Sequence, residues 1–199
     1  MKFILVRHGE TLFNQLGLTQ GWCDSPLTQK GVKQVQITRD RLAGVPIDEA
    51  YSSTSERACD TAEILLEGRN IPVHREKRLK EINFGYFEGS ANATRLAIAS
   101  PGGPRMGIGY RNFGGEDCED VVRRETEFLQ TLLGGEEKTI LLAGHGASLN
   151  LLLHHIAGES LKERFPEFTF FFNATAVIVA YADGRFEVEQ VLHAVSDNG

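Results

Sequence analysis

Lys2-Phe3-Ile4-Leu5-Val6-Arg7-His8-Gly9-Glu10-Thr11 decides the fold of this chain. An apolar run the length of one buried strand ends on a guanidinium, an imidazole, a glycine and a carboxylate. The carboxyl end of a strand is where open α/β sheets place their ligands. The layout recurs downstream. Residues 138–143 form a near-continuous apolar run that leads into Gly144-His145-Gly146-Ala147-Ser148 and a helix through His155.

Between the two motifs, strand and helix patterns alternate. Thr28 is placed to cap a helix carrying Val32, Val35, Ile37 and Leu42. Residues 48–52 predict a short strand that ends in Ser52-Ser53-Thr54-Ser55. Arg57, Ala58, Thr61, Ala62, Leu65 and Leu66 then fall at helical spacing. The start of that helix, with free N–H groups and Arg57 in its first turn, reads as an anion site. Residues 90–115 change character: they are rich in glycine, carry Arg95, Arg105 and Arg111 and no acid, and predict an irregular, lid-like excursion. A helix follows over 116–133, and two strands over 168–179 and 185–192 are joined at Asp183-Gly184, a hairpin signal. The pattern predicts one α/β domain over 1–199, a three-layer α/β/α sandwich on a mostly parallel mixed sheet closed by an antiparallel hairpin.

Composition narrows the function. With 199 residues, 41% of them hydrophobic, the chain can bury one sizeable core. A net charge of −6 without a basic stripe argues against nucleic acid as a partner. No apolar run reaches membrane length, and the first is too short for the core of a signal peptide, so a cytoplasmic protein is expected. Cys23, Cys59 and Cys118 form no CxxC pair and suggest neither a disulfide framework nor zinc. His154 and His155 point about 100° apart on a helix and do not chelate one ion, so no metal is expected. His74 and His193 read as structural. The terminal hairpin offers an edge to a second copy of the chain, which would make a homodimer.

The motifs resemble, in order and over nearly the whole chain, the histidine phosphatase superfamily in its phosphoglycerate mutase-like branch. The matching pieces are Arg7-His8-Gly9-Glu10-Thr11 with Asn14; Gln20-Gly21-Trp22 with Asp24 and Leu27-Thr28-Gln29-Lys30-Gly31; Tyr51-Ser52-Ser53 through Arg57-Ala58 and Thr61-Ala62; Leu79-Lys80-Glu81-Ile82-Asn83-Phe84-Gly85 with Glu88-Gly89; and Gly144-His145-Gly146. The resemblance implies a phosphoglycerate mutase-like fold. It also implies a reaction without metal or cofactor, in which His8 takes the phosphoryl group and Arg7, Arg57 and His145 neutralise its oxygens. The second nitrogen of His8 is then expected to donate to a backbone carbonyl beside Gly9.

Glu81 is the expected proton donor to the leaving oxygen, with Glu10 and Glu88 as competing carboxylates. Asn14, Gln20, Gly21 and Gly146 are expected phosphate or substrate contacts. The expected activity is hydrolysis of a small phosphorylated metabolite. The alternatives are a cofactor-dependent phosphoglycerate mutase and a non-catalytic phosphoryl-binding module. The short glycine-rich excursion, and Ile82-Asn83-Phe84 in place of the more polar mutase version, favour access of water and hence hydrolysis. Arg95, Arg105 and Arg111 suggest a polyanionic substrate, whereas Tyr86, Phe87, Tyr110 and Phe113 suggest an apolar leaving-group pocket.

Overall fold

Strands β1 (Lys2–Arg7), β2 (Glu49–Ser53), β3 (Val73–Glu76), β4 (Thr139–Gly144), β5 (Ala176–Ala182) and β6 (Arg185–Leu192) form one sheet in the order β3-β2-β4-β1-β5-β6. The structure is a computed structural model and describes residues 1–99 and 109–194. β1, β2, β3 and β4 pair in parallel, while β5 runs antiparallel to both β1 and β6.

Alternation along the central strands builds the three layers, because successive side chains leave a strand on opposite faces. Phe3 and Leu5 of β1, Ile140 and Leu142 of β4, and Val177 and Val179 of β5 point to one face. There they meet helix α5 (Cys118–Leu132) through Phe128 and Leu129, and helix α6 (Gly146–Arg164) through Leu149 and Leu153. Ile4, Val6, Leu141 and Ile178 point the other way. They are covered by Val35 of helix α2 (Gln29–Arg41) and Leu65 of helix α3 (Glu56–Leu65). β1 is buried on both faces, which is why it reads as an unbroken apolar run.

Local chemistry sets the boundaries. The Thr28 side chain accepts from Gly31 N and opens α2. Asp183 and Gly184 both take positive φ, 50° and 76°, as a two-residue hairpin turn requires. The chain leaving β1 presses on the first turn of α2 so closely that a Cβ at Gly31 would lie 2.1 Å from the Glu10 carbonyl oxygen. No helix among the described residues is long and apolar enough to cross a membrane.

Several expectations need correction. The strand expected over 168–179 begins only at Ala176. Residues 168–175 form an irregular crossing, in which Phe168 and Phe171 pack edge-on at 5.3 Å as core plugs and Ala174 N donates to the His8 carbonyl. Phe168 and Phe171 serve burial, not strand pairing. The excursion is partly regular, because helix α4 (Asn92–Ala99) lies inside it; Arg105 falls outside the described residues. Helix α6 runs past His155 to Arg164 with a break at Ala157 (φ −139°), which concealed its second half. The short helix α1 (Leu12–Leu16) and β3 gave no sequence signal, since β3 is a polar edge strand.

Candidate active site

The β1–β4 register aligns Arg7 with Gly144, so His8 and His145 leave adjacent parallel strands at the same level. Their rings stand 5.3 Å apart at 64°, and both are buried. His8 Nδ1 lies 2.7 Å from the Gly9 carbonyl oxygen. A carbonyl only accepts, so Nδ1 carries the hydrogen of the neutral ring and Nε2 keeps its lone pair. The carbonyl expected beside Gly9 is that of Gly9 itself. His145 Nε2 lies 2.8 Å from the Ser53 hydroxyl, and its Nδ1 is buried without a partner among the described residues.

Both imidazoles are held well below the usual histidine range. Burial is the main cause for each, and Arg57 comes next; Arg7 adds to the effect on His8, and His8 itself to that on His145. The same charges locate the arginines. Burial pulls Arg7 down to about 10, with Glu81 acting against the shift and Arg57 with it. The structure thus brings Arg7, His8, Arg57, Glu81 and His145 together.

The two guanidiniums are tied to the fold as well as to the site. Arg7 donates to the Phe171 carbonyl at 2.7 Å and crosses Gly146, where a Cβ would lie 3.0 Å from Arg7 Nε. Arg57 is wholly buried and donates to Asp24, the Cys23 carbonyl and the Gly21 carbonyl. In each arginine the Nε is buried and has no partner among the described residues. Asp24 also accepts from Glu56 N at 2.6 Å, so the chain's own carboxylate fills the anion site read at the start of α3.

The three competing carboxylates have separate surroundings. Glu10 bonds Lys30 and Thr28. Glu88 accepts from the backbone N–H groups of Gly21, Trp22, Cys23 and Phe84 and so shapes the Gly21 loop. Glu81 is buried, faces Arg7, and accepts from Ile82 N, Ala147 N and Ser148 N at 2.9–3.0 Å, which caps α6 across space.

Other predicted contacts sit one step back. Asn14 Oδ1 accepts from Thr11 N and from Asn173, and Asn173 also donates to the His8 carbonyl. Gln20 bonds the Thr11 and Ser25 hydroxyls. Phe87 and Tyr110 are core residues packed with Phe84, whereas Tyr86 is exposed. Arg95 stacks on Phe84 and donates to the Tyr110 and Thr19 hydroxyls; Arg111 pairs with Asp117 and Asp120. Sequence reasoning missed Arg124. Its guanidinium donates to the Arg78 and Glu81 carbonyls and to Glu116, fixing the Glu81 segment to α5.

Two buried imidazoles and two guanidiniums gathered at the carboxyl ends of β1 and β4 mark a phosphoryl-handling α/β protein. Residues 3–193 match the histidine phosphatase superfamily (branch 1), and the chain belongs to that family. It is 32% identical to the adenosylcobalamin/alpha-ribazole phosphatase of Salmonella typhimurium, over 77% of this chain and 78% of that protein. It is 33% identical to the 2,3-bisphosphoglycerate-dependent phosphoglycerate mutase of Nocardia farcinica, over 77% of this chain and 76% of the relative. The fold matches Bacillus stearothermophilus YhfR with a TM-score of 0.75 at 29% identity, covering 94% of each chain. The named relatives thus divide between phosphatases and mutases.

Proposed function

We propose that the protein is a metal-independent phosphomonoester hydrolase that works through a phosphohistidine on His8. The observation that carries this is the His8 ring: its Nδ1 is pinned to the Gly9 carbonyl and its Nε2 keeps its lone pair, beside two buried guanidinium Nε donors that no group among the described residues satisfies. Unsatisfied buried donors are costly, and a tetrahedral oxyanion supplies the missing acceptors.

His8 Nε2 attacks phosphorus, the P–O bond breaks, and the leaving oxygen takes a proton from Glu81. Water then attacks phosphorus, gives a proton to Glu81, and the P–N bond breaks with its electron pair returning to His8 Nε2, which releases phosphate and restores neutral His8. Hydrolysis is favoured over phosphoryl return because the described cations of the excursion are already engaged. Arg95 is held by Tyr110 and Thr19, and Arg111 by Asp117 and Asp120, which leaves neither arranged to retain a second anionic group.

The test supplies the protein with phenyl phosphate, and separately with 3-phosphoglycerate primed by 2,3-bisphosphoglycerate. Phosphate release from the aryl ester, abolished in His8→Ala, is expected. Efficient isomerisation of the glycerate with little hydrolysis would make the protein a mutase, and an active His8→Ala variant would remove the nucleophile.

A further inference from the structure

We propose that Glu125 is a positioning residue for Glu81, acting through Arg124 and the first turn of α6. Glu125 lies on the buried side of α5 with no exposed surface, and neither carboxyl oxygen makes a hydrogen bond of good geometry among the described residues. It is one of the largest liabilities in the core, since a buried carboxylate without partners is strongly disfavoured.

Its surroundings all lead to Glu81. On its own helix, the Arg124 guanidinium stands 3.9 Å from Glu125 Oε1 while donating to the Glu81 carbonyl at 3.0 Å. On α6, its neighbour Ser148 gives its backbone N–H to Glu81 Oε1 at 2.9 Å. Two acids, Glu81 and Glu116, face it from the adjoining segments, and the Arg124 cation stands beside it.

Burial, helped by Glu81 and Glu116, pushes the Glu125 carboxyl up to about 8, with Arg124 and the Ser148 hydroxyl only partly opposing the shift. While Glu125 is neutral, Arg124 serves Glu81 and Glu116. Once Glu125 ionises, a second buried anion competes for the guanidinium that holds the Glu81 carbonyl. The Glu81 segment then loses its clamp. Glu125 is therefore a group whose neutrality the site requires, which distinguishes it from an inert core position.

This inference rests on Glu81 being the proton-transfer group, and the experiment separates the two. kcat/KM for phenyl phosphate is measured from pH 7 to 9 for the wild type, Glu125→Gln, Glu125→Leu and Glu81→Gln, with thermal melts to confirm folding. The wild type is expected to lose about tenfold by pH 9, the drop for one group titrating near 8. Either uncharged Glu125 variant should stay within about twofold across that range, because no charge can develop. An alkaline loss of the same size in the wild type and in a folded Glu125 variant overturns the proposal. Glu81→Gln with wild-type rates overturns instead the assignment of Glu81, and with it the premise of this inference.

Discussion

Replacing Glu125 with glutamine should change how stability depends on pH, and the size of the change follows from the burial of the carboxyl. In the unfolded chain the group ionises near the usual 4.5; in the fold it keeps its proton to about 8. Between these values the folded chain binds more protons than the unfolded one. Its contribution to stability is therefore complete below 4.5 and is lost as pH rises through 8. The loss is ~1.4 kcal/mol per pH unit. From 4.5 to 7 this amounts to ~3.4 kcal/mol, a large part of the ~5–15 kcal/mol that holds a domain together.

Glutamine cannot ionise in either state, so it removes the slope. Its buried amide brings two donors that need acceptors, and leaving them unpaired adds a penalty of ~1–3 kcal/mol that does not vary with pH. The informative quantity is thus the difference between variant and wild type as a function of pH. The buried histidines contribute equally to both proteins and cancel. Urea unfolding at pH 5, 6, 7, 8 and 9 should show the variant gaining on the wild type by ~1.4 kcal/mol per unit up to pH 8, then levelling. Parallel curves would mean that Glu125 is charged in the fold, and the reasoning from burial would fail.

Two further outcomes are expected. Glu88→Ala removes the acceptor of four backbone N–H groups and should destabilise the fold by ~2–4 kcal/mol while lowering kcat/KM through the displaced Gly21 loop, read by chemical unfolding alongside phenyl phosphate hydrolysis; unchanged kinetics in the folded variant would detach that loop from the site. Because burial and the neighbouring arginines hold His8 and His145 well below the ordinary imidazole range, acidification to pH 6 should leave the nucleophile unprotonated, so kcat should show no inflection near 6.5; a loss of kcat through an inflection near 6.5 would contradict the electrostatic account.

The parts of the fold legible in sequence are those where burial and periodicity agree. β1 and β4 are buried on both faces and read as apolar runs, α2 carries its Thr28 cap, and the last hairpin turns on Asp183-Gly184. What escaped has a physical reason in each case. β3 is a polar edge with little to bury, and the Phe168–Phe171 segment is apolar because it plugs the core without pairing. The candidate site was legible as a set of residues through family resemblance, but its assembly was not. The alignment of Arg7 with Gly144 is a property of strand pairing that no local pattern encodes. Glu125 did leave a trace: Val121, Phe128 and Leu129 share its helical face and are buried, so a carboxyl at that spacing points inward.

The placement of β1 has a consequence for biosynthesis. Lys2 pairs on one side with Thr139 and on the other with Ala180, so the earliest of the six strands to leave the ribosome finds both neighbours only after most of the polypeptide has followed. Until then Phe3 to Val6 have no sheet to enter, and the nascent chain must shelter a greasy segment through most of translation. A truncated product ending before Thr139 would carry the whole Arg7-His8-Gly9 motif yet lack the strand that sets it in place.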